Sequence, residues 1–179
     1  MRESLPGDDD PELAQLGQAF RDELRAEAEA YEALAAKALL RGRTLAEVAV
    51  ELLHRGDRVA VRSGAEVFTG EVIDAVGDLV RLRLAVGAVD MDLAAVTSIA
   101  VLERVRSGGR GRGGGATSFT ARLHEHEAAQ VSVELGGPAL PSVQGRIEAV
   151  ATDHVVLGEP GGRRTYLRRG AIGWVRPLR

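Results

Sequence analysis

Two segments of the chain carry the same pattern of residues, and this repeat restricts the fold more than any other feature of the sequence. Gly70-Glu71-Val72 followed by Asp78-Leu79-Val80-Arg81-Leu82 matches Gly145-Arg146-Ile147 followed by Asp153-His154-Val155-Val156-Leu157, and the glycine-to-aspartate spacing is eight in both. Apolar residues alternate with polar ones and turns interrupt them, which is typical of short β-strands in a small barrel. The sequence therefore predicts a tandem duplication of one β-rich unit.

The match continues on both sides of this pattern. Further segments correspond in order: 59–61 with 131–133, 95–99 with 171–175, and an amphipathic segment before each copy, 44–54 and 119–123. The segment before the first copy opens with Thr44 and Glu47, which form the pattern of a helix capping box. We expect one lead-in helix and about five strands in each copy.

The residues shared by the copies have structural explanations. The glycine at 70 and 145 permits a sharp bend, so that one strand serves both sides of a tiny barrel. The aspartate at 78 and 153 suits a tight turn, in which its side chain bonds its own backbone. None of these positions requires a catalytic role.

The first 43 residues predict a long amphipathic helix. Asp10 and Pro11 favour a helix start, and Gly42 favours its end. The candidate protein-interaction residues recur about every 3.6 residues along one stripe: Leu13, Leu16, Phe20, Leu24, Tyr31 and Leu34. Such a stripe either packs along a neighbouring domain or pairs with a second copy of the chain, and the sequence leaves both interpretations open.

Each copy resembles the small SH3-like barrel of Sm-like proteins, and it is similar to bacterial Sm-like proteins of the actinobacterial type. The resemblance is carried by the pattern V-x-V … G-x-[V/I] … D-x-V-x-L … A-[V/I]-x-x-[I/V] over residues 44–102 and 118–177. It implies RNA binding at the loops and ring or sheet-edge association through the outer strands. The predicted fold class is mainly β with an N-terminal α-helical segment and two tandem SH3-like (Sm-like) small barrels.

Four segments follow from this organisation. They are an acidic amphipathic helix at 1–43, a first barrel with its lead-in helix at 44–103, a Gly/Arg-rich linker at 104–117 and a basic second barrel at 118–179. Residues 1–50 carry 6 basic and 11 acidic side chains, whereas residues 101–179 carry 12 and 7. This asymmetry predicts different partners for the two ends, or contact between them.

Candidate nucleic-acid-binding residues lie in the basic part. In the linker, Arg110 and Arg112 either neutralise phosphates or only keep a flexible connection soluble. In the second copy, strand alternation places Arg164, Tyr166 and Arg168 on one face, next to Arg169. A tyrosine between arginines stacks on a base in single-stranded nucleic acid, but such a face also suits solvent or a protein partner.

Composition and motifs argue against an enzyme. The chain has no Cys, which excludes disulfides, thiolate nucleophiles and Cys-ligated metals. Catalytic nucleophile motifs and phosphate-cradling glycine loops are absent, and His124, His126 and His154 are interpreted as solvated or hydrogen-bonded. We expect no cofactor, metal or small-molecule substrate. Without a long apolar run or an apolar N-terminal signal, a cytoplasmic protein that does not enter the membrane is predicted.

Two functions remain as hypotheses. The first is a non-enzymatic interaction or scaffold protein that binds a protein partner or its own copies through barrel edges and the N-terminal helix. The alternative is RNA or single-stranded nucleic-acid binding by the second barrel and the linker. The overall charge of -3 favours the first, because dedicated nucleic-acid binders usually carry net positive charge.

Overall fold

The computed structural model describes residues 11–105, 108–109 and 115–178. The chain divides into two compact units at residues 43 and 44. The candidate residues Arg110 and Arg112 lie outside the described residues.

The first unit contains the predicted long helix. This helix, α1, spans Pro11–Gly42 and has 32 residues. Four residues of its apolar stripe have exposed side chains: Phe20, Leu24, Tyr31 and Leu34. Leu13 and Leu16 belong to its first turns, and their side chains lie outside the described part of the chain. In the described ranges, helices are too short or too polar to cross a lipid bilayer.

The second unit contains the two copies, here called repeat 1 (residues 44–103) and repeat 2 (residues 118–178). The elements of repeat 1 are α2 (Leu45–Arg55), β1 (Arg58–Ser63), β2 (Glu66–Val76), β3 (Leu79–Arg83), β4 (Ala88–Asp92) and β5 (Ser98–Glu103). Those of repeat 2 are α3 (Phe119–Ala129), β6 (Ser132–Gly137), β7 (Leu140–Val150), β8 (His154–Gly158), β9 (Arg164–Arg168) and β10 (Trp174–Pro177). Each repeat therefore has one lead-in helix and five strands, as the sequence predicts.

All ten described strands belong to one antiparallel sheet with the order β5-β1-β2-β3-β4-β10-β6-β7-β8-β9. Each repeat contributes five neighbouring strands in the same relative order, and the repeats join where β4 pairs with β10. The predicted mainly β fold with an N-terminal helix is confirmed. The predicted pair of closed barrels is not confirmed, because the sheet remains open, with β5 and β9 as its outer strands.

Strand pairing corrects one part of the repeat alignment. Val59 pairs with Gly70 and Val133 pairs with Gly145, so Val59 corresponds to Val133 and not to Val131. A shift of two residues leaves every side chain on the same face of a strand, which is why alternation alone did not determine this register. Downstream, the predicted correspondence of 95–99 with 171–175 agrees with the pairing.

The shared glycine is required by close backbone approach. A Cβ atom at Gly70 would overlap the carbonyl oxygen of Arg83 in the neighbouring strand, and one at Gly145 would overlap that of Gly158. Both glycines lie in 11-residue strands, β2 and β7. The glycine therefore has a structural role in both repeats, namely close contact with the neighbouring strand, whereas the bend expected for a small barrel stays a prediction.

The two repeats share their apolar cores. Trp174 of repeat 2 is buried among the core residues of repeat 1, with its ring centroid 5.1 Å from that of Phe68. In the opposite direction, Leu79 of repeat 1 belongs to the core of repeat 2. This exchange explains why residues 44–179 form a single compact unit.

The indole of Trp174 needs a glycine opposite it. Trp174 pairs with Gly136 across β10 and β6, and a Cβ atom at Gly136 would overlap the indole ring. We expect Gly136→Ala to lower the free energy of unfolding by about 1–3 kcal/mol, because overpacking a filled site forces its neighbours to move. Chemical denaturation measures this change.

Gly170→Ala is the matched control, since nothing lies within 4 Å of a Cβ atom at that position. It is expected to change the free energy of unfolding by less than about 0.5 kcal/mol. Equal effects of the two substitutions would contradict the proposed role of the Trp174 contact.

Candidate protein interface

The junction between the two repeats is an interface between two parts of the same chain. Strands β4 and β10 pair antiparallel, with Met91 opposite Trp174 and Asp90 opposite Val175. Beyond the last pair, the Asp92 N–H donates to the carbonyl oxygen of Gly173 at 2.9 Å. The main chains therefore join the repeats by the edge-to-edge pairing that also joins strands between separate proteins.

Helix α3 of repeat 2 docks beside this strand pair on repeat 1. The N–H of Phe119, in the first turn, donates to Oδ1 of Asp78 at 2.8 Å, while Ser118 caps the same helix. The sequence predicted that the turn aspartate would bond its own backbone. Asp78 instead binds the helix of the other repeat, because α3 brings an unpaired N–H group to the β2–β3 turn.

A buried carboxylate lies under α3. The side chain of Asp90 is 0% exposed, and three cationic or ionisable groups surround it: Arg122 Nε at 3.3 Å, His126 Nε2 at 3.3 Å and Arg81 Nε at 3.4 Å. Arg122 also lies 3.8 Å from Asp74 and 2.5 Å from Glu125. A buried carboxylate is expensive unless it is paired, so these contacts fix α3 to β4.

Sequence reasoning did not identify this charge cluster. One signal was present, because Asp90 lies between Val89 and Met91 in a strand where all three side chains are buried. Arg122 and His126 are one turn apart on α3, and together they reach Asp90. The sequence contains no information on which strand this helix face contacts.

Each outer strand of the sheet corresponds, in the other repeat, to one of the two strands that join the repeats. β5 occupies in repeat 1 the place of β10 in repeat 2, and β9 occupies the place of β4. On β5, the side chains of Val101 and Leu102 are 42% and 55% exposed. Unpaired edges with apolar side chains are natural sites for strand addition.

The predicted nucleic-acid-binding residues of repeat 2 lie on or beside β9. Arg164, Tyr166 and Arg168 share its exposed face, whereas Arg169 begins the short 3-10 turn that follows. Tyr166 is 67% exposed, and its ring centroid lies 5.8 Å from that of His154. The structure thus brings together Tyr166 and two arginines of the outer strand β9 with His154 of the neighbouring strand β8.

Carboxylates of repeat 2 pair with several of its arginines. Arg164 Nε lies 2.6 Å from Glu148, Arg163 bonds Glu159, and Arg176 Nε lies 2.5 Å from Glu134. Hydrogen bonds, first from Arg163, lower the pKa of Glu159. The positive charge that the sequence assigns to this repeat is therefore neutralised in part at short range.

Glu134 illustrates how a buried carboxylate is kept charged. Burial alone would raise the pKa of Glu134, but hydrogen bonds from Ser142 and Arg176 outweigh it and the pKa is lowered. These partners lie on β7 and β10, on the two sides of β6. Glu134 therefore ties three neighbouring strands together.

The three histidines of repeat 2 each lie beside a carboxylate. His124 Nδ1 lies 3.0 Å from Glu127, His126 Nε2 contacts Asp90, and His154 Nδ1 lies 2.7 Å from Asp153, which lowers the pKa of Asp153. In the part of the chain that the structure describes, no three His, Asp or Glu side chains form a metal-binding group.

Comparison of the chain with protein-family models, curated proteins and solved structures finds no match. The resemblance to Sm-like barrels therefore stays a prediction. The contact between the two repeats is the interface that the structure shows directly.

The charge cluster makes a stability prediction. Asp90→Leu removes the fully buried carboxylate beside Arg122 and leaves this arginine with Asp74 and the more exposed Glu125, so we expect the free energy of unfolding to fall by about 3–5 kcal/mol. The double variant Asp90→Leu/Arg122→Met should lose less than the single variant, because the stranded charge is also removed. Denaturant titration of both variants and of Arg122→Met completes the cycle, and purely additive losses would contradict a direct coupling.

Glu134 makes a pH prediction. Because folding lowers its pKa, it stabilises the fold above its unfolded pKa of about 4.5, and this contribution disappears as the pH falls through the folded value. Glu134→Gln should therefore cost about 1–2 kcal/mol at pH 7 and progressively less below pH ~4. Denaturation across this pH range tests it, with the exposed Glu66→Gln as a control; a pH-independent cost would contradict it.

Proposed function

We propose that the protein is a non-enzymatic, self-assembling scaffold in which β9 of one copy pairs with β5 of the next. One observation supports this proposal above all: the chain already joins β4 of repeat 1 to β10 of repeat 2. Since β9 is the equivalent of β4 and β5 the equivalent of β10, a second copy offers the same pair of edges. The partner is then a second copy of this chain.

The repeat alignment gives the register of this pairing. Leu167 corresponds to Met91 and Ser98 to Trp174, so Leu167 of one copy lies opposite Ser98 of the next. By the same rule, the Arg168 N–H takes the place of the Asp92 N–H and donates to the next copy. The main-chain contacts of the internal junction are thus reproduced between copies.

The new junction is weaker than the internal one. In the internal junction, Trp174 fills the core of repeat 1 beside Phe68. The equivalent positions between copies hold Ser98 and Val143, which bury much less apolar surface. Assembly is therefore expected to depend on protein concentration, whereas the internal junction is permanent.

The assembly is head to tail, because two different edges meet. Such contacts give a ring when the rotation between copies closes and a filament when it does not. We further propose that each repeat is an open variant of the SH3-like (Sm-like) barrel, for which the sequence resemblance implies ring or edge association.

Light scattering coupled to size-exclusion chromatography tests the assembly. From micromolar to millimolar concentration, we expect masses to rise through multiples of 19.0 kDa. Edge pairing should persist in ~0.5 M salt, at which phosphate contacts weaken steeply. A chain that stays monomeric over this range would contradict the proposal.

Removal of one edge N–H tests the register. Arg168 has φ -60°, which proline adopts without strain, so Arg168→Pro should fold normally and lack the N–H that meets the next copy. We expect its assembly dissociation constant to rise about tenfold or more. Arg168→Ala loses the same side chain but keeps the N–H, and it should assemble like the parent protein; equal behaviour of the two variants would exclude this register.

Nucleic-acid binding is the second candidate function. The exposed Tyr166 beside His154 on the outer face supports it, because single-stranded bases stack on such rings. Replacement of Arg164, Tyr166 and Arg168 by Ala should then abolish salt-sensitive binding of a fluorescent oligonucleotide. Unchanged affinity of this triple variant would exclude the face as a binding site.

A further inference from the structure

We infer that the outer face of repeat 2 at Asp153, His154 and Tyr166 is the docking surface for α2 of a second copy. This inference rests on the head-to-tail assembly proposed above and adds a second contact to it. In the chain's own fold, α2 packs on β2 of repeat 1, so only another copy brings an α2 helix to this face.

Inside the chain, α3 already occupies the equivalent face of repeat 1. Oδ1 of Asp78 accepts the N–H of Phe119 at 2.8 Å, and Leu79 belongs to the same core cluster as Phe119. Asp90 lies 3.3 Å from Arg122. These three contacts define how a lead-in helix docks beside a joined pair of strands.

Strand registers and helix caps identify the equivalent residues. Arg81 lies opposite Asp90 and Val156 lies opposite Tyr166 at the same place in their strands. Both helices have 11 residues and follow capping side chains, Thr44 and Ser118. The equivalent residues are Asp153 for Asp78, His154 for Leu79, Tyr166 for Asp90, Leu45 for Phe119 and Val48 for Arg122.

Both members of the internal ion pair are replaced at the proposed contact between copies: Tyr166 stands in place of Asp90, and Val48 stands in place of Arg122. The internal junction has Asp90 against Arg122. A second copy would bring Val48 to Tyr166, so an apolar contact replaces a buried ion pair without leaving a charge unpaired. A carboxylate at 166 facing Val48, or a tyrosine facing Arg122, would be a mismatch. The sequence therefore fits this second use of the same geometry.

Exposure marks Leu45 and Tyr166 as uncovered in the single chain, whereas Val48 is partly buried beside the core of repeat 1. Leu45 is 38% exposed, whereas the equivalent Phe119 is 3% exposed beneath the internal junction. Tyr166 is 67% exposed and lines a shallow groove together with Ala149 and Val156. Docking of α2 would bury Leu45 and Tyr166, and the N-terminal end of the helix would meet the Asp153 carboxylate, which its dipole favours.

Introduction of the Asp–Arg pair of the internal junction at positions 166 and 48 tests this contact. Tyr166→Asp and Val48→Arg should each raise the assembly dissociation constant about tenfold, because each buries an unpaired charge. The double variant recreates the pair of the internal junction and should assemble nearly as tightly as the parent protein. Single variants without effect, or a double variant as weak as the sum of the singles, would overturn the inference. Chemical denaturation of dilute protein verifies that each variant folds.

Disulfide cross-linking is a second test, and the absence of cysteine in the chain makes it specific. Leu45→Cys and His154→Cys variants, mixed and oxidised, should form a covalent dimer at twice 19.0 kDa. Leu45→Cys mixed with Val86→Cys, an exposed position in the β3–β4 loop, is the matched control. Cross-linking no faster than in the control would count against docking of α2.

The experiments distinguish failure of the α2 docking inference from failure of the proposed assembly. If the parent protein assembles and Arg168→Pro weakens it, but the substitutions at 48 and 166 do not, the edge pairing stands and the helix contact is wrong. If Tyr166→Ala leaves assembly unchanged and abolishes oligonucleotide binding, the face serves nucleic acid and the inference is overturned. A monomeric parent protein would refute both.

Discussion

Pairing of β4 with β10 is the interaction on which the structure of residues 44–178 depends. The main-chain ladder turns two five-stranded units into one sheet, and side chains on both sides strengthen it. Trp174 enters the core of repeat 1 and Leu79 enters that of repeat 2. Each repeat thus completes its core with a residue of the other, which makes the pair one folding unit.

We expect the buried charges at this junction to contribute specificity more than stability. Replacement of a buried ion pair by well-packed apolar residues is often neutral, whereas removal of one partner is costly. Asp90 therefore restricts which helix face settles on β4, because only a face with the spacing of Arg122 and His126 satisfies it. The equivalent face of repeat 2 has Tyr166 in place of Asp90, so it lacks the carboxylate that selects α3.

Covalent connection distinguishes the internal junction from the proposed junction between copies. Residues joined in one chain meet at a high effective concentration, so the internal junction forms in every molecule. A junction between copies must bury enough surface to overcome the entropy of association. The proposed junction between copies has no counterpart of the Trp174–Phe68 contact, so its formation would depend on protein concentration.

Much of the local structure was predictable. The capping box at Thr44 and Glu47 defined the start of α2, because this signal acts within one helical turn. Strand positions followed from alternation for the same reason. The candidate site was only partly predictable: the common face of Arg164, Tyr166 and Arg168 follows from period two, but their pairing with carboxylates does not.

The sequence by itself determined the duplication, the lead-in helices, the strands and the glycine shared by the two long strands, since the patterns that reveal them are short and lie close together in the chain. Tertiary structure alone decided that the ten strands share one open sheet, that Trp174 belongs to the core of the other repeat, and that Asp90 is neutralised by α3. These contacts join residues far apart in sequence. Alternation specifies which face of a strand is buried, but not which strand lies beside it.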